Sequence, residues 1–160
     1  MAAVEPPTLT CLETAVQPEW VDYNGHMNDA AYARVLSTAT DALLAHLGVD
    51  ADRRAREGYA VYTLETHIRY LQEVHEAQPL TVAACLVDHD AKRLHVLLTL
   101  HGPAATAAAT GELMLMGMDT AAGRPAPFPE SVARAVAALW ARHGCAQPPA
   151  EAGRAIGIRR

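Results

Sequence analysis

The stretch that decides the fold is Asp22–Leu47, DYNGHMNDAAYARVLSTATDALLAHL. In its second part Tyr32, Val35, Leu36, Ala39, Leu43, Leu44 and Leu47 recur at steps of three and four. That spacing puts them on one face of an α-helix running from Asp29 to about Leu47, roughly five turns long. Asn28 or Asp29 suits the N-cap, and Gly48 suits the stop. A helix with one apolar stripe must bury that stripe against another element, so the rest of the chain must supply its cover.

Working outward, the residues before the helix, QPEWVDYNGHMND, are dense in turn and cap formers, and residues 8–16 alternate loosely as a first strand. After a polar connector, DADRRAREG at 50–58, strands are expected at 59–70, 79–88, 93–101 and 107–118. DHDAK and GPAAT supply turns between the last three, which makes these antiparallel neighbours. A short helix is expected at Pro129–His143, with Val132, Val136, Leu139 and Trp140 on one face and Gly144 at its end. The order is that of an α+β domain, a five-stranded antiparallel sheet covered by one long helix, spanning 1–144. Residues 145–160 show no periodicity and are expected to be a mobile tail. Such a sheet has free edges, and edge pairing with a second copy would cover one.

Composition narrows the function classes. With 160 residues, 51% of them hydrophobic and 19% charged, the chain suits one domain with a sizeable core. A net charge of −5 argues against a nucleic-acid partner, which needs a basic face. Cys11, Cys85 and Cys145 are odd in number and far apart, so neither a disulfide framework nor a zinc cage is expected. The eight histidines show no ligand spacing beside a cysteine or second carboxylate, so no metal is expected. There is no signal-peptide pattern, and no apolar run approaches the roughly 20 residues of a membrane span. A cytoplasmic location is the default expectation.

The chemistry concentrates before the long helix. Asp22, Asn24, His26 and Asn28 fall at every second position, more polar groups than one cap requires. A carboxylate can attack a carbonyl or deprotonate water, and an imidazole shares protons near neutrality. The free N–H groups of a helix start, here those of Asn28 and Asp29, can stabilise an oxyanion. Gly25 permits a tight turn. The same residues also fit a merely capped turn with a surface histidine.

The strand, D-x-x-G and helix arrangement resembles the hot-dog fold thioesterases of the 4-hydroxybenzoyl-CoA thioesterase type, whose catalytic aspartate falls at the position of Asp22. D-x-N-x-H-x-N also resembles the Asn/His motif of the plant acyl-carrier-protein thioesterases. PEWVDYNGHMN, ATDALL, TLETHIRYLQEV, KRLHVLLTLH and DTAAGRPAP, within residues 18–127, are similar to the thioesterases associated with or fused to L-carnitine dehydrogenase, whose proposed substrate is betainyl-CoA. The resemblance implies a sheet wrapped around a helix and a homodimer or dimer of dimers with its active sites between subunits. It further implies Asp22 as nucleophile or general base, Asn24 and His26 positioning water or the leaving thiolate, and no cofactor.

Other residues stay open. Glu65 and His67 share one strand face and point either into the cleft beside Asp22 or to solvent. Arg53, Arg54 and Arg56 suit the phosphates of CoA or a solvated connector. Of the eight aromatic residues, Trp20, Tyr23, Tyr32, Tyr59, Tyr62 and Tyr70 lie between positions 20 and 70. Trp20 and Tyr23 flank Asp22, and Tyr59 and Tyr62 would close an aromatic cage around a trimethylammonium group; plain core is the alternative. Two other functions fit the same loop. A hot-dog enoyl-CoA hydratase uses a D-x-N-P-x-H loop, whereas here Asp22 and His26 are four apart with Gly25 between them. A non-catalytic acyl-CoA-binding module would use the loop as a cap alone.

Overall fold

The structure, a computed structural model, describes residues 8–160. Strand β1 (Leu9–Ala15) leads through a 3-10 turn at Pro18–Trp20 into helix α1 (Asp29–His46) and the short α2 (Ala51–Glu57). Strands β2 (Tyr59–Tyr70), β3 (Pro79–His89), β4 (Arg93–His101) and β5 (Ala107–Asp119) follow, then β6 (Arg124–Pro125) and helix α3 (Glu130–His143). The sheet is antiparallel in the order β1-β3-β4-β5-β2, with β6 beside β5. This is the α+β arrangement expected from the element order and the hot-dog fold that the resemblance implies, with α1 as its central helix.

Period-two alternation decides which face of the sheet meets the helix. On β4, Leu94, Val96, Leu98 and Leu100 are fully buried on one face, while Arg93, His95, Thr99 and His101 on the other are not, Leu97 being the one buried residue of that second face. Val82, Ala84 and Leu86 of β3 and Ala109, Leu113 and Leu115 of β5 fall on the same face, and the α1 stripe of Val35, Leu36, Ala39 and Leu43 packs with them in one core. Each fully buried leucine contributes about 1.5–3 kcal/mol of transfer free energy. Gly111 lets α1 approach, because a Cβ there would sit 3.0 Å from Leu36 Cδ1.

Four features depart from the sequence expectations. The polar connector is a helix: Asp50 caps α2 by accepting the Arg53 N–H, and Gly58 ends it in a left-handed conformation at φ 61°. The helix buries none of its own residues, so no apolar stripe announced it. The sheet has a sixth, two-residue strand, β6. Cys85 and Cys145, expected to be unpaired, form a disulfide at a sequence separation of 60. The chain leaving α3 returns to β3, where the Cys145 N–H donates to Leu86 O at 2.9 Å, and only that return brings the two Cα atoms within 6.6 Å. Residues 145–154, placed in a mobile tail by their lack of periodicity, also carry contacts to the sheet. Glu151 pairs with Arg69, and the Gly153 N–H donates to the Glu112 carboxylate at 2.9 Å. Polar anchoring of this kind leaves no hydrophobic period to read. No helix among the described residues is long and apolar enough to cross a membrane.

Candidate active site

The loop between β1 and α1 is a tight turn closed by a bridge between Val21 and Met27. The Asp22 N–H donates to His26 O at 3.2 Å, and the Gly25 N–H donates to Asp22 O at 3.0 Å. Gly25 takes φ +83°, a conformation that side chains disfavour. Met27 is buried and its N–H donates to Val74 O at 2.8 Å, which pins the loop to the segment after β2.

Pinned in this way, Asp22 offers a carboxylate held from both sides. Its Oδ1 accepts the Asn24 N–H at 2.8 Å and its Oδ2 accepts Asn28 Nδ2 at 3.2 Å. The Asn24 N–H does most to hold the carboxyl below its ordinary value of 3.8; the Asn28 amide and the nearby His26 add to this, while desolvation opposes it. Asp22 therefore stays ionised at neutral pH. Asn28 is also the N-cap of α1, its Oδ1 accepting the Ala30 N–H at 2.9 Å.

Asp22, His26, Asn28 and Asp29 form one wall of a cleft of about 380 Å³, and Tyr32, Tyr70 and Glu73 line the rest with Met27, Leu71 and Gln72. The Tyr32 hydroxyl donates to Gln72 O at 2.9 Å, and that of Tyr70 to Asp29 O at 3.4 Å. The two rings stand at 87° with centroids 5.3 Å apart. His26 Nε2 lies 3.5 Å from Glu73 and His75 Nε2 3.8 Å from it. A carbonyl set in this cleft would have an ionised carboxylate beside it and the start of a helix toward which its oxygen could turn.

Residues 16–136 match the model of the thioesterase-like superfamily. The chain belongs to that superfamily. It is 44% identical over 151 residues to a betainyl-CoA thioesterase of Pseudomonas aeruginosa, across 94% of this chain and 95% of that one. It is 47% identical over 124 residues to an L-carnitine dehydrogenase/betainyl-CoA thioesterase of Agrobacterium fabrum, across 78% of this chain and 25% of that longer protein. A solved structure of a hypothetical protein of Staphylococcus aureus in complex with CoA matches with a TM-score of 0.89 at 31% identity, covering 99% of this chain and 100% of that one.

In this member of the thioesterase-like superfamily the expected site residues divide. Asp22, His26, Asn28 and Asp29 share the cleft. Asn24 is exposed and acts on Asp22 through its backbone N–H. The Asn28 N–H, expected as an oxyanion donor, instead donates to Trp20 O at 2.8 Å; the first helical residue, Asp29, carries the remaining candidate N–H. Trp20 lies on the other side of the loop, in a groove it shares with Arg34, Asp22 and Asn28. Tyr23 is 97% exposed. Tyr59 is buried away from the cleft, its hydroxyl donating to Ala126 O at 3.4 Å, and Tyr62 is exposed on β2. Glu65 shares a separate surface cavity with His67, His95 and Glu112, because its position on β2 turns it away from Asp22. Arg53 is occupied within the fold: Nε donates to Gly48 O at 2.6 Å, and the guanidinium also bonds Glu57 and Ser131. Arg54 and Arg56 are exposed on α2.

Glu73, which lines the cleft with Asp22, and His75, whose Nδ1 lies 3.1 Å from Gly25 O, are additions that only the fold reveals. They belong to the segment after β2, which has neither strand alternation nor helical period. The sole signal was the charged, His-containing run Glu73–Glu76. No group of three or more His, Cys, Asp or Glu among the described residues is arranged to hold a metal ion.

Proposed function

We propose that this chain is an acyl-CoA thioesterase whose preferred substrate is betainyl-CoA, cleaved to glycine betaine and CoA in the cytoplasm as part of carnitine catabolism. The observation that carries the reading is the Asp22 carboxylate, bridged by Asn28 to the first turn of α1 at the wall of a cleft. The extent of likeness to the Pseudomonas aeruginosa betainyl-CoA thioesterase supports the choice of acyl group.

In this reading a carboxylate oxygen of Asp22 attacks the thioester carbonyl carbon, and the Asp29 N–H faces the developing oxyanion. The C–S bond breaks, and the CoA thiolate takes a proton from solvent relayed by His26. Water then attacks the acyl–aspartyl anhydride, releasing the acid and restoring Asp22. The downward shift of the Asp22 pKa keeps the carboxylate ionised, which a nucleophile and a general base both require, so the general-base route, in which Asp22 deprotonates the attacking water, uses the same group in the same place. Hydrolysis by these groups needs no cofactor.

A homodimer, or a dimer of dimers built from it, completes the picture. Strand β2 ends the sheet with one edge unpaired, and it carries exposed Tyr62, Leu64 and Tyr70. Pairing two β2 edges would cover these and bring each cleft, which Tyr70 lines, to the seam. Of the three arginines of α2, Arg54 and Arg56 remain free to meet CoA phosphates.

A thiol-release panel of betainyl-, acetyl-, butyryl-, long-chain and benzoyl-CoA tests the assignment. Preference for betainyl-CoA is expected, and indiscriminate hydrolysis would remove the betaine part. Single turnover in 18O-water, with the quenched protein analysed by mass spectrometry, separates the two roles of Asp22: an acyl–Asp22 adduct, or label in the Asp22 carboxylate from water opening the anhydride at the aspartyl carbon, marks a nucleophile, and a base gives neither.

A further inference from the structure

We propose that Tyr70 and Glu73, backed by Tyr32 and Asp29, form the subsite that selects a quaternary ammonium group at the acyl end of the substrate. This rests on the thioesterase reading above and deepens it by naming the residues that set specificity.

The lining of the cleft is chemically one-sided. Asp22, Asp29 and Glu73 contribute three carboxylates and Tyr32 and Tyr70 two phenol rings, while His26 is the one basic side chain and neither Lys nor Arg is present among the described residues. A trimethylammonium group cannot donate a conventional hydrogen bond. It is held instead by aromatic rings and by carboxylates at van der Waals distance from its methyl groups. Both kinds of group are here, and they are already in place. Tyr32 is fixed through its hydroxyl to Gln72 O and Tyr70 to Asp29 O, so the two rings stand at 87° as a preformed corner. Glu73 has the histidines His26 and His75 at 3.5 and 3.8 Å, too long for short hydrogen bonds, so its charge is not consumed by a tight partner.

Distance supports the same location. In a betainyl thioester one methylene separates carbonyl carbon from nitrogen, which puts the cationic nitrogen roughly 2.5 Å from the reacting carbon by standard bond lengths. The recognising groups must therefore lie beside Asp22. Tyr70, bonded to Asp29 one residue beyond the Asn28 that touches Asp22, meets that requirement. Trp20 and Arg34 line the groove on the other side of the Asp22–Asn28 pair, which leaves the anionic CoA arm a separate exit.

The test compares kcat/KM for betainyl-CoA with that for 3,3-dimethylbutyryl-CoA, its neutral isostere, in which carbon replaces the charged nitrogen. The wild-type protein is expected to favour the cationic ester by at least about tenfold, and Tyr70→Leu and Glu73→Gln each to reduce that ratio by about five- to tenfold. Tyr70→Phe, which keeps the ring, should hold the ratio. Tetramethylammonium should inhibit the wild type competitively and inhibit Glu73→Gln several-fold more weakly. If the wild type favours the cationic ester and both variants keep its ratio, the subsite is elsewhere while the thioesterase reading stands. Equal rates for the two esters in the wild type would overturn the subsite alone, whereas hydrolysis of neither ester would overturn the thioesterase reading and the subsite with it.

Discussion

Asn28 ties the start of α1 to the carboxylate of Asp22: its Nδ2 donates to Asp22 Oδ2 across 3.2 Å while its Oδ1 accepts the Ala30 N–H at 2.9 Å. One amide thus caps a helix and orients a carboxylate. A disturbance at Asn28 should register both in stability and in turnover.

Asp22→Asn keeps an acceptor for the Asn24 N–H but removes the charge. Turnover should fall by about 10²–10⁴-fold with the thermal melt close to wild type. Thiol release at near-wild-type rate would show that another group carries the chemistry.

Asn28→Ala should cost about 1 kcal/mol in denaturant unfolding through the lost cap and also lower kcat. Asn28→Asp preserves an acceptor for the Ala30 N–H but sets a second negative charge against Asp22. It should regain most of the stability and little of the turnover. Equal recovery of both would separate the cap from the chemistry.

The pH dependence has two limbs of opposite sign. The Asp22 pKa is lowered on folding, so its contribution to stability is present above the ordinary value of 3.8 and is lost as pH falls through the lower folded value. The acid limb of kcat/KM assigned to Asp22 should accordingly lie below pH 3.8, and Asn28→Ala should move it upward. Burial pushes the Tyr59 phenol up to about 12, with Arg53 opposing. That stabilisation is complete below the ordinary value of 10.0 and declines as pH rises from there through 12. Denaturation at a series of alkaline pH values should show the decline, and Tyr59→Phe should flatten it.

Gly117→Ala tests the packing of β5. A Cβ at this position would collide with the Tyr59 hydroxyl and lie 2.7 Å from Ala126 O. Destabilisation of about 1–3 kcal/mol is expected, with loss of the Tyr59 hydrogen bond. The double variant Gly117→Ala, Tyr59→Phe should be less destabilised than the sum of the two.

Cys145→Ser removes the link to Cys85. Unfolding free energy should drop by about 2–4 kcal/mol under oxidising conditions, and the gap to wild type should narrow when both proteins are measured with reductant. An unchanged gap would mean that the packing of Cys145 matters more than the covalent bond.

Most of the architecture was legible because periodicity is a local property. The three- and four-residue steps from Tyr32 to Leu47 mark α1, and alternation along 93–101, interrupted only at Leu97, marks β4, whatever lies elsewhere in the chain. Helix α2 escaped because it buries nothing, although Asp50 and Gly58 stood at its ends as cap and stop. The disulfide escaped because two cysteines separated by 60 residues carry no spacing signal.

The candidate site was legible in its loop and not in its opposite wall. Asp22, His26 and Asn28 sit together because a short turn brings near neighbours in sequence together. The aromatic rings are placed by the fold and not by their spacing: Tyr23 and Tyr59 are close to Asp22 in sequence or in the clustering of rings, yet one faces solvent and the other the core. Tyr70 and Glu73 reach the cleft only because the chain leaving β2, at one edge of the sheet, must travel to β3 and on the way binds Met27 through Val74 O.

By itself the sequence determined the element order, the helix that the sheet wraps and the loop that holds the carboxylate. Each is written in residues within a few positions of one another, where backbone preferences and side-chain period act directly. Only the tertiary structure decided what stands across the cleft, which helix N–H is left for an oxyanion and which arginines are engaged. Those depend on long-range pairing of strands and loops, in which the partner of a residue is chosen by the packing of the whole core.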